Sequence, residues 1–124
     1  MRNCIDRFVH IVPICALYMA SLQDLGLNEQ KAKIVLHLSQ YKTDYWLSKW
    51  DVPFELTQPK IAQAIGTVRS NATKYLHDLM ADGLVKSDIK HILEYNGRKR
   101  NAYFLTLRGF EIAEKILEYS NELI

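Results

Sequence analysis

"TQPKIAQAIGTVRSNATKYLHDLMADGLVKS", residues 57–87, is the stretch on which the fold turns. It opens with Thr57, suited to cap a helix, and with Pro59 in the first turn, where a missing N–H costs nothing. Ile61, Ala62 and Ile65 follow at helical spacing and form one apolar stripe. Gly66 ends this helix, because the left-handed closing conformation favours glycine. A second helix is predicted over 68–82, with Ala72, Tyr75, Leu76, Leu79 and Met80 turned inward and Gly83 closing it. A short helix, a tight glycine turn and a longer helix make a helix-turn-helix pattern.

Downstream, residues 84–95 alternate. Val85, Ile89, His91, Leu93 and Tyr95 are expected on an inward face, and Lys86, Asp88, Lys90 and Glu94 on the other. Asn96-Gly97 is a strong hairpin signal, since both residues tolerate positive φ. Residues 102–106 are the return strand, and Arg98, Lys99 and Arg100 sit at the tip between them. Residues 107–124 read as an amphipathic helix with Phe110, Ala113, Ile116, Leu117 and Tyr119 on its apolar face. Upstream, residues 52–56 are a short extended segment restrained by Pro53. Residues 42–51 are either a short helix or an ordered loop. Asn28 caps a helix over roughly 29–42, which sets Ala32, Val35, Leu36, Leu38 and Ser39 at helical spacing. Residues 3–24 are a largely apolar helical stretch bent or restarted at Pro13. The fold class is therefore mainly α with a small β-hairpin (α+β): a winged helix-turn-helix with added N- and C-terminal helices.

A chain of 124 residues suits one domain with a helical extension. The net charge is only +2, but residues 57–109 hold nine basic against four acidic side chains. A local positive block of this kind is the footprint of a nucleic-acid binder. Cys4 and Cys15 read as free thiols of a reducing cytoplasm. Residues 7–21 lack a signal-peptide cleavage pattern, because Tyr18 stands where a small residue is needed, and are too short to span a bilayer. No membrane is expected as a partner.

The run "LTQPKIAQAIGTVRSNATKYLHDLMADGLV" resembles the winged helix-turn-helix core of regulators of the multiple-antibiotic-resistance-regulator type. The matching positions are Ile61-Ala62, Gly66, Arg69-Ser70-Asn71, Leu76, Leu79 and Gly83-Leu84-Val85. It is also similar to archaeal winged-helix regulators at Val52-Pro53, Leu56-Thr57-Gln58, Ala64, Tyr103, Leu105-Thr106 and Gly109. The resemblance covers 28–110 and implies a DNA-binding domain over those residues. Residues 1–27, an N-terminal helical extension, and 111–124, the C-terminal helix, are expected to dimerise the chain. Their apolar side chains exceed what a small core buries, and a two-fold dimer would set two recognition helices about one DNA turn apart.

The resemblance implies a sequence-specific transcription regulator of double-stranded DNA, the second helix entering the major groove by its N-terminal end. Arg69 then suits a guanine edge and Asn71 an adenine edge. Ser70, Thr73 and Lys74 suit phosphate or mixed contacts, and Gln58 and Lys60 suit the backbone. Arg98 and Arg100 are expected to insert beside the recognition helix, with Lys99 a looser phosphate contact. A winged helix also serves as a protein-interaction module without DNA binding, which is the alternative reading.

His77 and His91 are expected to be structural, His91 as a satisfied core histidine. Cys4, His10 and Cys15 match no standard zinc spacing, and no metal or cofactor is expected. No glycine-rich phosphate loop, nucleophile elbow or HExxH motif is present, so the chain is not expected to be an enzyme. Tyr41, Tyr45, Trp46 and Trp50 would suit a small-molecule effector pocket, although core or interface packing is the expected use.

Overall fold

The computed structural model describes residues 22–23, 25–92 and 98–122, without the side chains of 119–122. Helix α1 runs Glu29–Ser39, α2 Thr43–Leu47, α3 Gln58–Ile65, α4 Arg69–Ala81 and α5 Leu107–Glu122. Strands β1 (Asp51–Val52), β2 (Val85–Ile92) and β3 (Lys99–Leu105) form one sheet in that order. The expected mainly α class with a small sheet is what is found, with the C-terminal helix in place and the sheet three-stranded.

Local chemistry explains most boundaries. Asn28 is extended and its Oδ1 accepts the Lys31 N–H at 2.8 Å, capping α1 as expected. That helix stops at Ser39, and the segment left open between helix and loop restarts as α2. The α2 start is tied to the sheet by the buried Thr43, whose hydroxyl donates to Leu105 O at 2.7 Å. Gly66 closes α3 in the left-handed region at φ 73°. Thr106 joins two elements: its hydroxyl donates to Gly83 O at 2.7 Å and accepts the Gly109 N–H at 3.1 Å. Gly109 is needed for space, since a Cβ there would collide with Leu84 O.

Thr57 occupies the capping position of α3, but its hydroxyl donates back to Phe54 O at 2.6 Å instead of accepting from the helix. Pro59 in that first turn has already removed one N–H that a cap would serve. The 3₁₀ turn Phe54–Leu56 takes the hydroxyl instead.

The sheet corrects the expected alternation. In the β2–β3 register, Lys90 pairs with Arg100 and Asp88 with Ala102, so the even-numbered residues of both strands share one face. Ile92, aligned with Val52 in the parallel β1–β2 pair, is fully buried on that face, as are Ala102 and Phe104. Ile89 lies on the other face, 55% exposed, and His91 is half-buried, with its Nδ1 3.3 Å from Asp51 Oδ1. His91 is therefore not a core histidine. Lys90, expected outside, is 6% exposed, with its ammonium donating to Leu47 O and Lys49 O at 2.7 Å each. Those oxygens make its burial tolerable.

The core gathers Ile34, Val35 and Leu38 of α1, Ile61 and Ile65 of α3, Leu76 and Leu79 of α4 and Phe104 and Leu105 of β3. Ala113 and Ile116 of α5 belong to the same core. The expected boundary between 110 and 111 thus falls inside a continuous helix that packs on the domain. The expected helix over 3–24 lies, up to residue 21, outside the described residues.

Candidate nucleic-acid interface

The turn at Gly66 sets the start of α4 against the start of α3. Arg69 Nε donates to Gln58 Oε1 at 3.2 Å, joining the first residues of the two helices. Neither helix has a side-chain hydrogen bond at its capping residue, Thr57 for α3 and Val68 for α4. Val68 is a hydrocarbon that is 61% exposed. Two uncapped helix starts with open N–H groups, held together by Arg69 and Gln58, favour an anion such as phosphate. The sequence hid this feature, because Thr57 looked like a cap.

Arg69, Ser70, Asn71 and Lys74 are exposed on α4, and Thr73 is half-buried. Asn71 Nδ2 reaches Thr67 Oγ1 at 3.4 Å, and the Thr73 hydroxyl donates to Arg69 O at 2.9 Å. His77, expected to be structural, is exposed one turn beyond Lys74. The opposite face of α4 buries Ala72, Leu76 and Leu79, and a Lys31–Asp78 ion pair at 3.4 Å ties it to α1. Packing thus holds the helix by one side and leaves its N-terminal half in water. Lys60 is half-buried, with Nζ 5.7 Å from the centre of the Phe54 ring.

The hairpin follows directly. Its turn, Asn96-Gly97, lies outside the described residues. Lys99 and Arg100 belong to β3, which starts three residues earlier than expected, and Arg98 immediately precedes it. The pleat sends Lys99 to the face of His91 and Arg100 to the face of Lys90. Lys99 Nζ stands 5.8 Å from the centre of the Trp50 ring. Arg98 is exposed and Arg100 half-buried.

Tyr103 connects ribbon and helix. Burial raises its phenol pKa above the usual 10.0, and the nearby Arg69 charge partly opposes that rise. The four aromatics that would suit an effector pocket each meet a neighbouring ring. Tyr41 meets His37, Tyr45 meets Trp46 edge-on, and Trp50 meets His91. A cavity of about 350 Å³ lies elsewhere, lined by Glu29, Ala32, Lys33, Leu36, His37, Gln40 and Ala64. Among the described residues, no group of three His, Cys, Asp or Glu side chains could hold a metal, and no helix is long and apolar enough to cross a membrane.

No protein-family model matches the chain, and no curated protein does. Solved structures do. MepR, a transcription regulator of the Staphylococcus aureus multidrug efflux pump MepA, superposes with a TM-score of 0.72 at 14% identity, covering 99% of this chain and 79% of its own. A MarR-family protein of Mycobacterium tuberculosis gives 0.63 at 18% identity, covering 94% and 71%. The chain has the MarR-family winged-helix fold. MepR in complex with DNA matches at 0.68 and 17% identity, covering 94% of this chain and 83% of that one. In this winged helix, α3 and α4 are the helix-turn-helix and β2–β3 is the wing.

Proposed function

We propose that the chain is a sequence-specific, double-stranded-DNA-binding transcription regulator that binds without chemistry of its own, in the cytoplasm, as a homodimer. The observation that carries this reading is the exposed first half of α4, joined to an uncapped α3 start, with a cationic ribbon beside it. Arg69 and Asn71 read base edges in the major groove. Ser70, Thr73, Lys74 and Gln58 hold phosphates, with Lys60 a weaker contributor. Arg98 and Arg100 take the backbone or the adjacent minor groove. The MepR–DNA complex shares the fold and supports the reading. Dimerisation through residues 1–27 and α5 is supported by Leu117, which stays 49% exposed on α5 while Ala113 and Ile116 of the same helix are buried in the core.

Binding selection from a random duplex library at two salt concentrations tests the proposal. A recovered site with two-fold symmetry, bound more weakly at high salt, is expected. Recovery of no sequence, together with binding that ignores salt, would refute it and favour a protein-docking role.

A further inference from the structure

Trp50 is half exposed, yet it is held from several directions. Its ring centre lies 5.2 Å from that of His91, and Lys99 Nζ stands 5.8 Å from it. His91 and Lys99 are cross-strand partners, so they leave the ribbon side by side and the indole lies across both. The backbone adds to this: Trp50 O accepts the His91 N–H at 2.9 Å, and Asp51 next in the chain pairs with the His91 ring. In the same segment Tyr45, also half exposed, carries Lys49 Nζ 5.0 Å from its ring centre. Exposed ring faces supported by ammonium groups suit a partner that offers apolar surface and negative charge together. Deoxyribose C–H groups beside phosphate oxygens are such a partner.

The position fits as well. Tyr103 lies on the same ribbon face as Lys99, closer to the base, and within the field of Arg69. Four steps along the strand take Tyr103 to Lys99, roughly 13 Å at the usual rise, against a major groove about 12 Å wide. A ribbon of that length is enough to carry the Trp50 end from a groove to its backbone wall.

We propose that Trp50 packs against the sugar–phosphate backbone at the outer flank of the wing and aims Lys99 at a phosphate there. The contact rests on the DNA-binding reading above. It gives Lys99, the looser contact expected from sequence, a position set by a residue outside both the helix-turn-helix and the hairpin.

The test uses the full chain carrying Trp46→Phe, which leaves Trp50 as its one tryptophan. Titration with a selected duplex should change Trp50 emission, saturating with the affinity measured on labelled DNA. Trp50→Ala should weaken binding to every sequence by roughly tenfold, with Trp50→Phe losing less. In hydroxyl-radical footprints Trp50→Ala should expose sugars at the outer edges and leave those at the recognition helix protected. Unchanged emission on saturated duplex, or an unchanged Trp50→Ala footprint, overturns the contact. A changed oligomeric state with an intact footprint also overturns it, and assigns the face to a second copy of the chain. Wild-type protein that binds no duplex would instead fail the DNA-binding reading itself.

Discussion

Lys90 is a charge turned inward. Two carbonyl oxygens at 2.7 Å and Asp88 Oδ2 at 3.7 Å surround its ammonium. Lys90→Ala leaves both carbonyls without their donor and is expected to cost about 2–3 kcal/mol in urea unfolding, the range for hydrogen bonds to a charge. Lys90→Met keeps the buried stem and should recover part of the loss. Tyr103 gives a pH signature. Its pKa is raised in the folded chain, so the stability it contributes is complete below pH 10 and is lost as pH rises through the folded value. Thermal melts above pH 10 should therefore fall more steeply for the wild type than for Tyr103→Phe. Neither role was readable from the residue itself. Lys90 sits in an apparently alternating strand, and its partners are carbonyls more than forty positions upstream. Arg69, Ser70, Asn71 and Lys74 were legible, because a glycine turn followed by polar residues and then an apolar stripe fixes which end of the helix is left in water.

At the scale of elements, the helix-turn-helix was legible because its determinants are local. Gly66 must adopt φ 73°, and Gly66→Ala is expected to destabilise by roughly 1–2 kcal/mol, measured as a shift in denaturation midpoint. Gly109 is a different case, since it sits in α5 with ordinary helical backbone and is required only by the closeness of Leu84 O and the Leu105 side chain. Gly109→Ala should cost roughly 1–3 kcal/mol through forced displacement of α5. The face of β2 was not legible. Its odd positions Val85, Ile89, His91 and Leu93 make a far more apolar series than Lys86, Asp88 and Lys90, and only the pairing of Ile92 with Val52 overrules it. Chemistry that depends on a distant strand cannot be read from period alone.

At the scale of the whole molecule, the cationic segment 57–109 is expected to make binding strongly salt-dependent. Arg98→Ala should weaken all sequences alike and lower the slope of log affinity against log salt by about one, whereas Arg69→Ala should cost roughly 1–3 kcal/mol at one base position. Titrations at several salt concentrations separate the two. The two-residue β1–β2 pairing has a further consequence for how the molecule assembles. Asp51 and Val52 meet His91 and Ile92 across some forty residues, whereas α3 and α4 are neighbours in the chain. Closing so long a loop is slow, so the helix-turn-helix unit should form before the β1–β2 pairing. In native-state hydrogen exchange, the His91 amide, bonded to Trp50 O, would then exchange through local opening well before the amides of α4.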